Sequence, residues 1–272
     1  MIRLGHIVYS NCHPVHALLL ESPPDWIRLV RGVPAELNAA LAAGRVDVAP
    51  ASSVEYLRRP HELRIIPGFT IAADGPVRSI VVESQRPLDE LDAGDVALPT
   101  ASATSVILLR LLLETRLGVR PRYRWFDQAA GDPLHEGDDA VLWIGDAALA
   151  RSRRAPYRYD LAESWHAWTG LPFVFALWQT RLGPPADEHL ADLHVLLTES
   201  LAYFHDQDTA LAGRYAAAYR MTPAALLAYW RALKYTLDDR ALQALRHFYA
   251  LAAQLGEAAA PPPLRFTPGR QA

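Results

Sequence analysis

Apolar and polar positions follow one another in a repeating order along the first part of the chain. Residues 4–9 form an apolar-rich run with the spacing of a strand, and residues 14–21 carry the pattern of a short helix. Residues 26–31 alternate apolar and polar side chains, which predicts a half-buried strand. Pro34 opens a helix that runs to Ala43, and Gly44 closes it, the expected placement of proline and glycine at helix ends. Residues 46–49 read as a short buried strand, and Ser52 or Ser53 can cap the helix that follows. The order β-α-β-α-β-α is the pattern of a parallel sheet with crossover helices.

Farther on, residues 63–72 and 77–83 predict two strands, the second able to cross into another lobe. Residues 96–98, 123–126 and 140–144 add short strands, residues 129–139 read as loop, and Ser102 starts a helix ending near Gly118. A tryptophan-rich helix begins at Asp160, breaks at Gly170-Leu-Pro172, and gives way to a buried strand over 174–179. A similar break, Asp74-Gly-Pro76, precedes the strand at 77. Two such strands, each entered by a sharp turn, predict a chain that leaves one lobe and later returns to it. The expected division is 1–78 with 178–272 as the first lobe and 79–177 as the second, with the chemistry in the cleft between them. After Gly183-Pro-Pro185 the pattern becomes helical over 186–207, 210–219, 223–233 and 238–255, and the proline-rich stretch 258–272 reads as a frayed or draped tail.

Composition narrows the classes. The chain has 272 residues, enough for one large domain or two modest ones, and 51% of them are hydrophobic, enough for a substantial core. A net charge of -3 leaves no basic surplus for nucleic acid. The single cysteine, Cys12, excludes an intrachain disulfide and a cysteine-cluster metal site. The N-terminus enters a strand pattern directly, with no charged and apolar leader, and no apolar run reaches membrane-spanning length. A cytoplasmic protein is the expectation.

Seven segments, in order, carry a family likeness: Tyr9-Ser-Asn-Cys-His-Pro14, Pro34-Ala-Glu-Leu-Asn38, Asp47-Val-Ala-Pro-Ala-Ser-Ser53, Asp74-Gly-Pro-Val-Arg-Ser79, Ser102-Ala-Thr-Ser105, Ile144-Gly-Asp-Ala-Ala-Leu149 and Thr169-Gly-Leu-Pro-Phe-Val-Phe175. Together they resemble the menaquinone-biosynthesis enzymes of the futalosine pathway, and within them the chorismate dehydratase (MqnA) branch. The resemblance covers roughly residues 2–180. It implies an α/β, two-lobed type II periplasmic-binding-protein-like fold with two crossover strands, to which this chain adds C-terminal helices. It also implies loss of water from chorismate to give 3-[(1-carboxyvinyl)oxy]benzoate, a lyase reaction with no cofactor and no metal. The later cyclase of the pathway, which forms dihydroxynaphthoate, carries a catalytic histidine after a strand of the second lobe. In this chain Gly145-Asp146 follow that strand, which favours the dehydratase. A small-carboxylate-binding protein without catalytic activity is the alternative from another class. Oligomeric state is left open.

Candidate residues follow from the substrate, a dicarboxylate with a ring hydroxyl. Ser102, Thr104 and Ser105 open a helix whose N-terminus suits an anion, although serine and threonine also begin helices for no other reason than capping. Ser52 and Ser53 follow a buried strand at the sheet edge where open α/β sheets bind ligands; capping is again the plain alternative. Ser79 lies on the crossover and is as readily a small strand residue. Gly145 and Asp146 join the binding set through the resemblance, while Asp146 by itself reads as a cap or structural acceptor, since a carboxylate would repel a dianion. Asn11 is the leading candidate for a catalytic contact, able to donate and accept but not to act as a base. Its alternative is an ordinary turn residue. His6, His13 and His16 could suggest a metal but read as loop and helix-surface residues, and His135 in a polar loop is a weak candidate base. With no histidine–acid pair in the matched segments, the substrate's own enolpyruvyl carboxylate is the expected base. Trp165, Trp168 and Trp178 are assigned to packing.

Overall fold

The computed structural model describes residues 1–268 except 152, 153, 184 and 186, and without the side chain of His135. The chain begins with β1 (Ile2–Ile7), two 3-10 turns (Ser10–Cys12 and Pro14–His16), α1 (Ala17–Glu21), β2 (Ile27–Gly32), α2 (Pro34–Ala42), β3 (Val48–Ser52), α3 (Ser53–Arg58) and β4 (Leu63–Ala73). It continues through β5 (Ile80–Ser84), β6 (Asp95–Pro99), α4 (Thr104–Arg110, extended by a π-helical stretch Leu111–Leu117), β7 (Arg122–Phe126), β8 (Ala140–Ile144), α5 (Gly145–Ala150), β9 (Tyr157–Asp160) and α6 (Leu161–Thr169). The remainder is β10 (Phe173–Arg181), α7 (Asp187–Tyr215), α8 (Pro223–Ala232), β11 (Leu233–Thr236) and α9 (Asp239–Gln254).

These strands build two sheets, in the orders β11-β4-β10-β3-β1-β2 and β7-β6-β8-β5-β9. The parallel triplet β2-β1-β3 is the βαβ core expected from the N-terminal pattern. β10 lies antiparallel between β3, over Ala176–Thr180, and β4, over Phe173–Arg181, so the chain is back in the first sheet from Phe173 onward. The central strands β3 and β5 are buried at every position, which is why they read as apolar runs rather than as alternation. Trp165 and Trp178 are fully buried, with Trp168 packed against the same core, as their helical and strand spacing suggested.

Three expectations are revised, and of the frayed or draped tail the draped alternative holds as far as Thr267. The strand expected from residue 77 starts at Ile80, because the Val77 and Arg78 N–H groups both donate to the Asp160 carboxylate and Arg78 is held at φ 64°. The helices expected over 186–207 and 210–219 are one helix, Asp187–Tyr215, since neither Asp208 nor Thr209 breaks the backbone. Two short strands, β9 and β11, were not anticipated; each has only four residues and pairs at a sheet edge. The tail is tied down as far as Thr267: Ile65 donates to the Arg265 carbonyl, Thr267 donates to the Ile65 carbonyl, and the Tyr56 hydroxyl donates to the Pro263 carbonyl. No helix among the described residues is long and apolar enough to cross a membrane.

Candidate active site

A narrow cavity lies between the two sheets. The first sheet contributes Tyr9 and Asn11 from the turn after β1, Ser52 from the end of β3, Ile71 from β4, and Phe175 and Ala176 from β10. The second contributes Ile80, the head of α4 (Ser102, Thr104 and Ser105), and the β8–α5 junction (Ile144 and Gly145). Six sequence candidates therefore meet in one place: Asn11, Ser52, Ser102, Thr104, Ser105 and Gly145. A second, wider groove runs along α2 and α4 and shares Ser102, but Arg58, Arg59 and Arg110 in it are paired with Glu55, Glu114 and Glu257.

Ser53, Ser79 and Asp146, also expected at the ligand, do not line the cavity. Ser53 donates its hydroxyl proton to the Val174 carbonyl at 2.8 Å. Ser79 accepts from the Tyr229 hydroxyl at 2.9 Å, and its carbonyl accepts from Gly145 N–H at 2.7 Å. The Asp146 carboxylate accepts from the Ser10 hydroxyl at 2.6 Å and from Ser10 N–H, so it anchors the Asn11 turn of the first sheet to α5 of the second. Burial raises the Asp146 pKa, and the two Ser10 groups pull against that rise. These three residues shape the wall rather than the surface a ligand would meet.

The lining groups are held by specific bonds. Asn38 donates its amide N–H to the Ser52 hydroxyl oxygen at 3.0 Å and accepts from Ser52 N–H. The Ser52 hydroxyl proton is thus left to donate elsewhere. Thr104 accepts from Val54 N–H at 3.3 Å, capping α3 from the opposite side of the cleft. Its hydroxyl lies 3.4 Å from that of Ser53; because the Ser53 proton is taken by Val174, Thr104 is the donor there. Ser102 accepts from Ser105 N–H at the start of the α4 helix. Gly145 has φ 64°, and a Cβ on it would fall 2.8 Å from the Tyr9 ring, so only glycine allows Tyr9 to pack here.

Tyr9 is the sole titratable side chain among the described residues that line the cavity. Burial first, then the Asp146 charge, pushes its pKa up to about 12, so it is a neutral phenol. Asn11 presents a buried Oδ1 with no hydrogen-bond partner. The lining is therefore uncharged, rich in hydroxyl and amide groups, and faced with the apolar side chains of Ile71, Ile80, Ile144 and Phe175. Such a surface can orient a flat, polar, anionic molecule but offers it no general base at neutral pH.

The histidines do not lie on loop or helix surfaces as expected. His6, His13 and His16 are buried directly beneath the Asn11 turn. Trp178 donates its indole N–H to His16 Nε2 at 3.0 Å. Indole is only a donor, so neutral His16 carries its proton on Nδ1 and gives it to His6 Nδ1, 3.0 Å away. Burial, with the Arg31 charge second, lowers the His6 pKa to about 4, and burial followed by His6 lowers that of His13 to about 3. Cys12 Sγ lies 3.8 Å from His16 Nδ1, its thiol pushed up to about 12 by burial. His6, Cys12 and His16 have the composition of a metal site. A metal on His16 Nδ1 would displace the proton shared with His6 while Trp178 occupies Nε2, leaving an imidazolate. The hydrogen bonds already satisfy this donor set, so it reads as a neutral support for the turn. His135 lies outside the described side chains.

Sequence reasoning passed over Tyr9, although it opens the Tyr9–Pro14 segment. It also passed over Tyr229 and Trp230 on α8, far along the chain: Tyr229 donates to Ser79, and Trp230 holds the turn, donating its indole N–H to the Ser10 carbonyl at 2.8 Å and stacking on His13. Their spacing fits an ordinary amphipathic helix, so no local signal marks them.

Comparison with known proteins adds the family. Residues 2–254 match a family model described as menaquinone biosynthesis. A chorismate dehydratase of Thermus thermophilus is 36% identical over 204 residues, 69% of this chain and 72% of that enzyme. A chorismate dehydratase of Campylobacter jejuni is 31% identical over 178 residues, 63% of this chain and 64% of that enzyme. In fold, a crystal structure of an Archaeoglobus fulgidus protein is similar with a TM-score of 0.77 at 20% identity, covering 94% of this chain and 97% of the other. The periplasmic aliphatic sulphonate binding protein of Escherichia coli is similar with a TM-score of 0.67 at 13% identity, covering 100% and 94%. The two-lobed periplasmic-binding-protein-like fold is thus present here, with α7, α8 and α9 following the return strand.

Proposed function

Because the chain belongs to the menaquinone-biosynthesis family, we propose that it is an enzyme that dehydrates chorismate to 3-[(1-carboxyvinyl)oxy]benzoate and water. The single observation that carries the mechanism is the uncharged lining: among the described residues the cavity has hydroxyls, an amide and a helix head, and no carboxylate or imidazole to remove a proton. The base is then the substrate's enolpyruvyl carboxylate. It takes the ring proton at the ether-bearing carbon, the electron pair of that C–H bond becomes the new ring π bond, and the C–O bond of the neighbouring hydroxyl breaks. The departing hydroxide and the proton leave together as water, and aromatisation drives the step.

The protein's contribution is position. Ser52, Ser102 and Ser105, with Gly145 giving room to Tyr9, would hold the carboxylates and the ring, while Thr104, its hydroxyl proton given to Ser53, would line the pocket beside them. The positive end of the α4 helix supports an anion without a fixed cation. Asn11 meets the leaving hydroxyl. Holding an intramolecular base against its proton can contribute ~7–11 kcal/mol to a well-oriented reaction. Ser53, Ser79 and Asp146 act on the substrate only through the groups they fix. In this reading the lobes are 1–78 with 178–272 and 79–177, corrected at one boundary because β10 pairs with the first sheet from Phe173 and so carries residues 173–177 into the first lobe, and they close on one small molecule. The setting is cytoplasmic.

The reading is tested by mixing purified protein with chorismate and following the ultraviolet spectrum and product mass. An aromatic product that has lost water is expected. Chorismate that binds and is recovered unchanged would instead indicate a small-carboxylate-binding protein. Turnover of cyclic dehypoxanthine futalosine would indicate the cyclase, a reading disfavoured by Gly145 at the position after β8.

A further inference from the structure

Glu257 sits just past the end of α9, and the backbone sets its place. Gly256, at φ 91°, closes the helix: its N–H donates to the Ala253 carbonyl and the N–H of Glu257 to the Ala252 carbonyl, both at 3.0 Å. This pair of bonds is the glycine-ended helix stop. The segment that follows is held by the Tyr56 hydroxyl on α3, which donates to the Pro263 carbonyl at 2.8 Å and accepts from Arg265 N–H at 2.7 Å. Glu257 is thus fixed to the first-sheet side from both directions. Its carboxylate, 12% exposed, takes one arginine from each side of the cleft. Oε2 accepts from Arg58, through Nε at 3.1 Å and through Nη2, and Oε1 accepts from Arg110 Nη1 at 2.8 Å. Arg58 ends α3, which follows β3 of the first sheet; Arg110 ends α4, which follows β6 of the second. The heads of the same two helices touch where Thr104 accepts from Val54 N–H. The two ties lie about 9 Å apart along α4 by the helical rise. One tie alone is a pivot; two fix the direction of the helix.

We propose that Glu257 is a positioning residue, a clasp that sets the angle of α4 across the cleft so that Ser102 and Ser105 at its head face Ser52. That the cavity holds chorismate rests on the functional reading; the clasp does not. Arg110 also donates through Nε to Glu114 at 2.9 Å, which keeps its guanidinium aimed at Glu257. Without the carboxylate, the two guanidiniums that share it repel each other, a repulsion that Glu55 and Glu114 offset only in part. α4 then turns about the Val54–Thr104 contact, and fewer molecules hold the arrangement that binds. Apparent affinity falls by that fraction, while the reaction in the bound, closed complex is unchanged.

The test uses the full-length protein. Glu257→Gln keeps the shape and removes the charge. KM for chorismate should rise about ten-fold, the order lost with one charge-assisted hydrogen bond, with kcat within about two-fold. Arg110→Gln should reproduce the rise, and the double variant should add nothing to it; Arg110→Gln also serves should Glu257→Gln not fold. Tyr56→Phe loosens the tail but leaves the clasp, so it should lower Tm without moving KM. The geometry is read by spin labels on Ala39→Cys and Trp125→Cys, exposed positions that line the wide groove from α2 and from β7. Cys12 is fully buried and takes no label. The distance between labels should be narrowly distributed with Glu257 in place, and longer and broader in Glu257→Gln. An unchanged label distance, a KM within two-fold of wild type in the variant that folds, a loss confined to kcat, or an equal rise of KM in Tyr56→Phe would overturn the proposal. If the wild type leaves chorismate untouched, the functional reading falls, and the label distances still decide the role of Glu257.

Discussion

Replacing Gly145 by alanine tests the architecture of the site at its tightest point. Two independent costs arise. A non-glycine residue at φ 64° pays roughly 1–2 kcal/mol for the left-handed conformation. The new Cβ would also stand 2.8 Å from Cδ2 and 2.9 Å from Cε2 of Tyr9, with Cγ at 3.1 Å. These atoms belong to the body of a ring rather than to a flexible tip, so the ring must swing as a unit, an overpacking cost of about 1–3 kcal/mol. A total near 3 kcal/mol corresponds to a fall in Tm of about 6–12 °C in a domain of this size. The displaced ring has the cavity on its free side, so chorismate turnover should fall with stability. Differential scanning calorimetry and the spectroscopic turnover assay read the two effects. The double variant Gly145→Ala/Tyr9→Ala separates them: the clash should disappear and the backbone cost remain, a coupling of about 1–3 kcal/mol. A single variant that melts within 2 °C of wild type (about the shift that 1 kcal/mol gives) and keeps full activity would refute the reasoning.

Three further outcomes are expected. Asn11→Ala should lower kcat by about 10²-fold, the order lost with one oriented donor or acceptor at a reacting centre, while isothermal titration with the aromatic product still detects binding; lost binding with intact turnover per bound substrate would contradict this. The pH profile of kcat should be level between about pH 6 and 9, because Tyr9 titrates only near 12 and no imidazole lines the cavity among the described residues; a limb near neutrality would point to a protein base. Stability should fall on acidification below the ordinary histidine range: between the unfolded value of 6.5 and the folded value of about 4, the unfolded chain holds a proton on His6 that the native state excludes. Stability is therefore complete above pH 6.5 and lost as pH drops toward 4, with His6 alone contributing about 3 kcal/mol, so the urea midpoint at pH 5 should lie clearly below that at pH 7.5.

The parts of the fold visible in the sequence are those whose cause is local. β1, β2 and β3 with the helices between them follow from apolar period and from Pro34 and Gly44 at the ends of α2, and the buried run that becomes β10 announces itself by composition. β9 and β11 were not visible because four-residue edge strands have too few positions to show a period. The join of two expected helices into α7 was missed because a polar pair, Asp208-Thr209, looks like a break yet costs an exposed helix little. At the site, Asn11, Ser52, Ser102, Thr104 and Ser105 could be named because they follow strands or begin helices. Ser79 and Asp146 could be named as well, but not their partners Tyr229 and Ser10, which lie far from them along the chain.

The sequence by itself determined the alternation of strands and helices, the break points at 74–76 and 170–172 and the small polar residues at the sheet edges, since each depends on neighbours within a few positions. Only the tertiary structure decided that the cavity lining is uncharged, that three histidines are buried and neutral, and that α8 reaches back to hold the Asn11 turn. Those properties come from desolvation and from hydrogen bonds between distant segments, and both exist only once the two sheets and the C-terminal helices have come together.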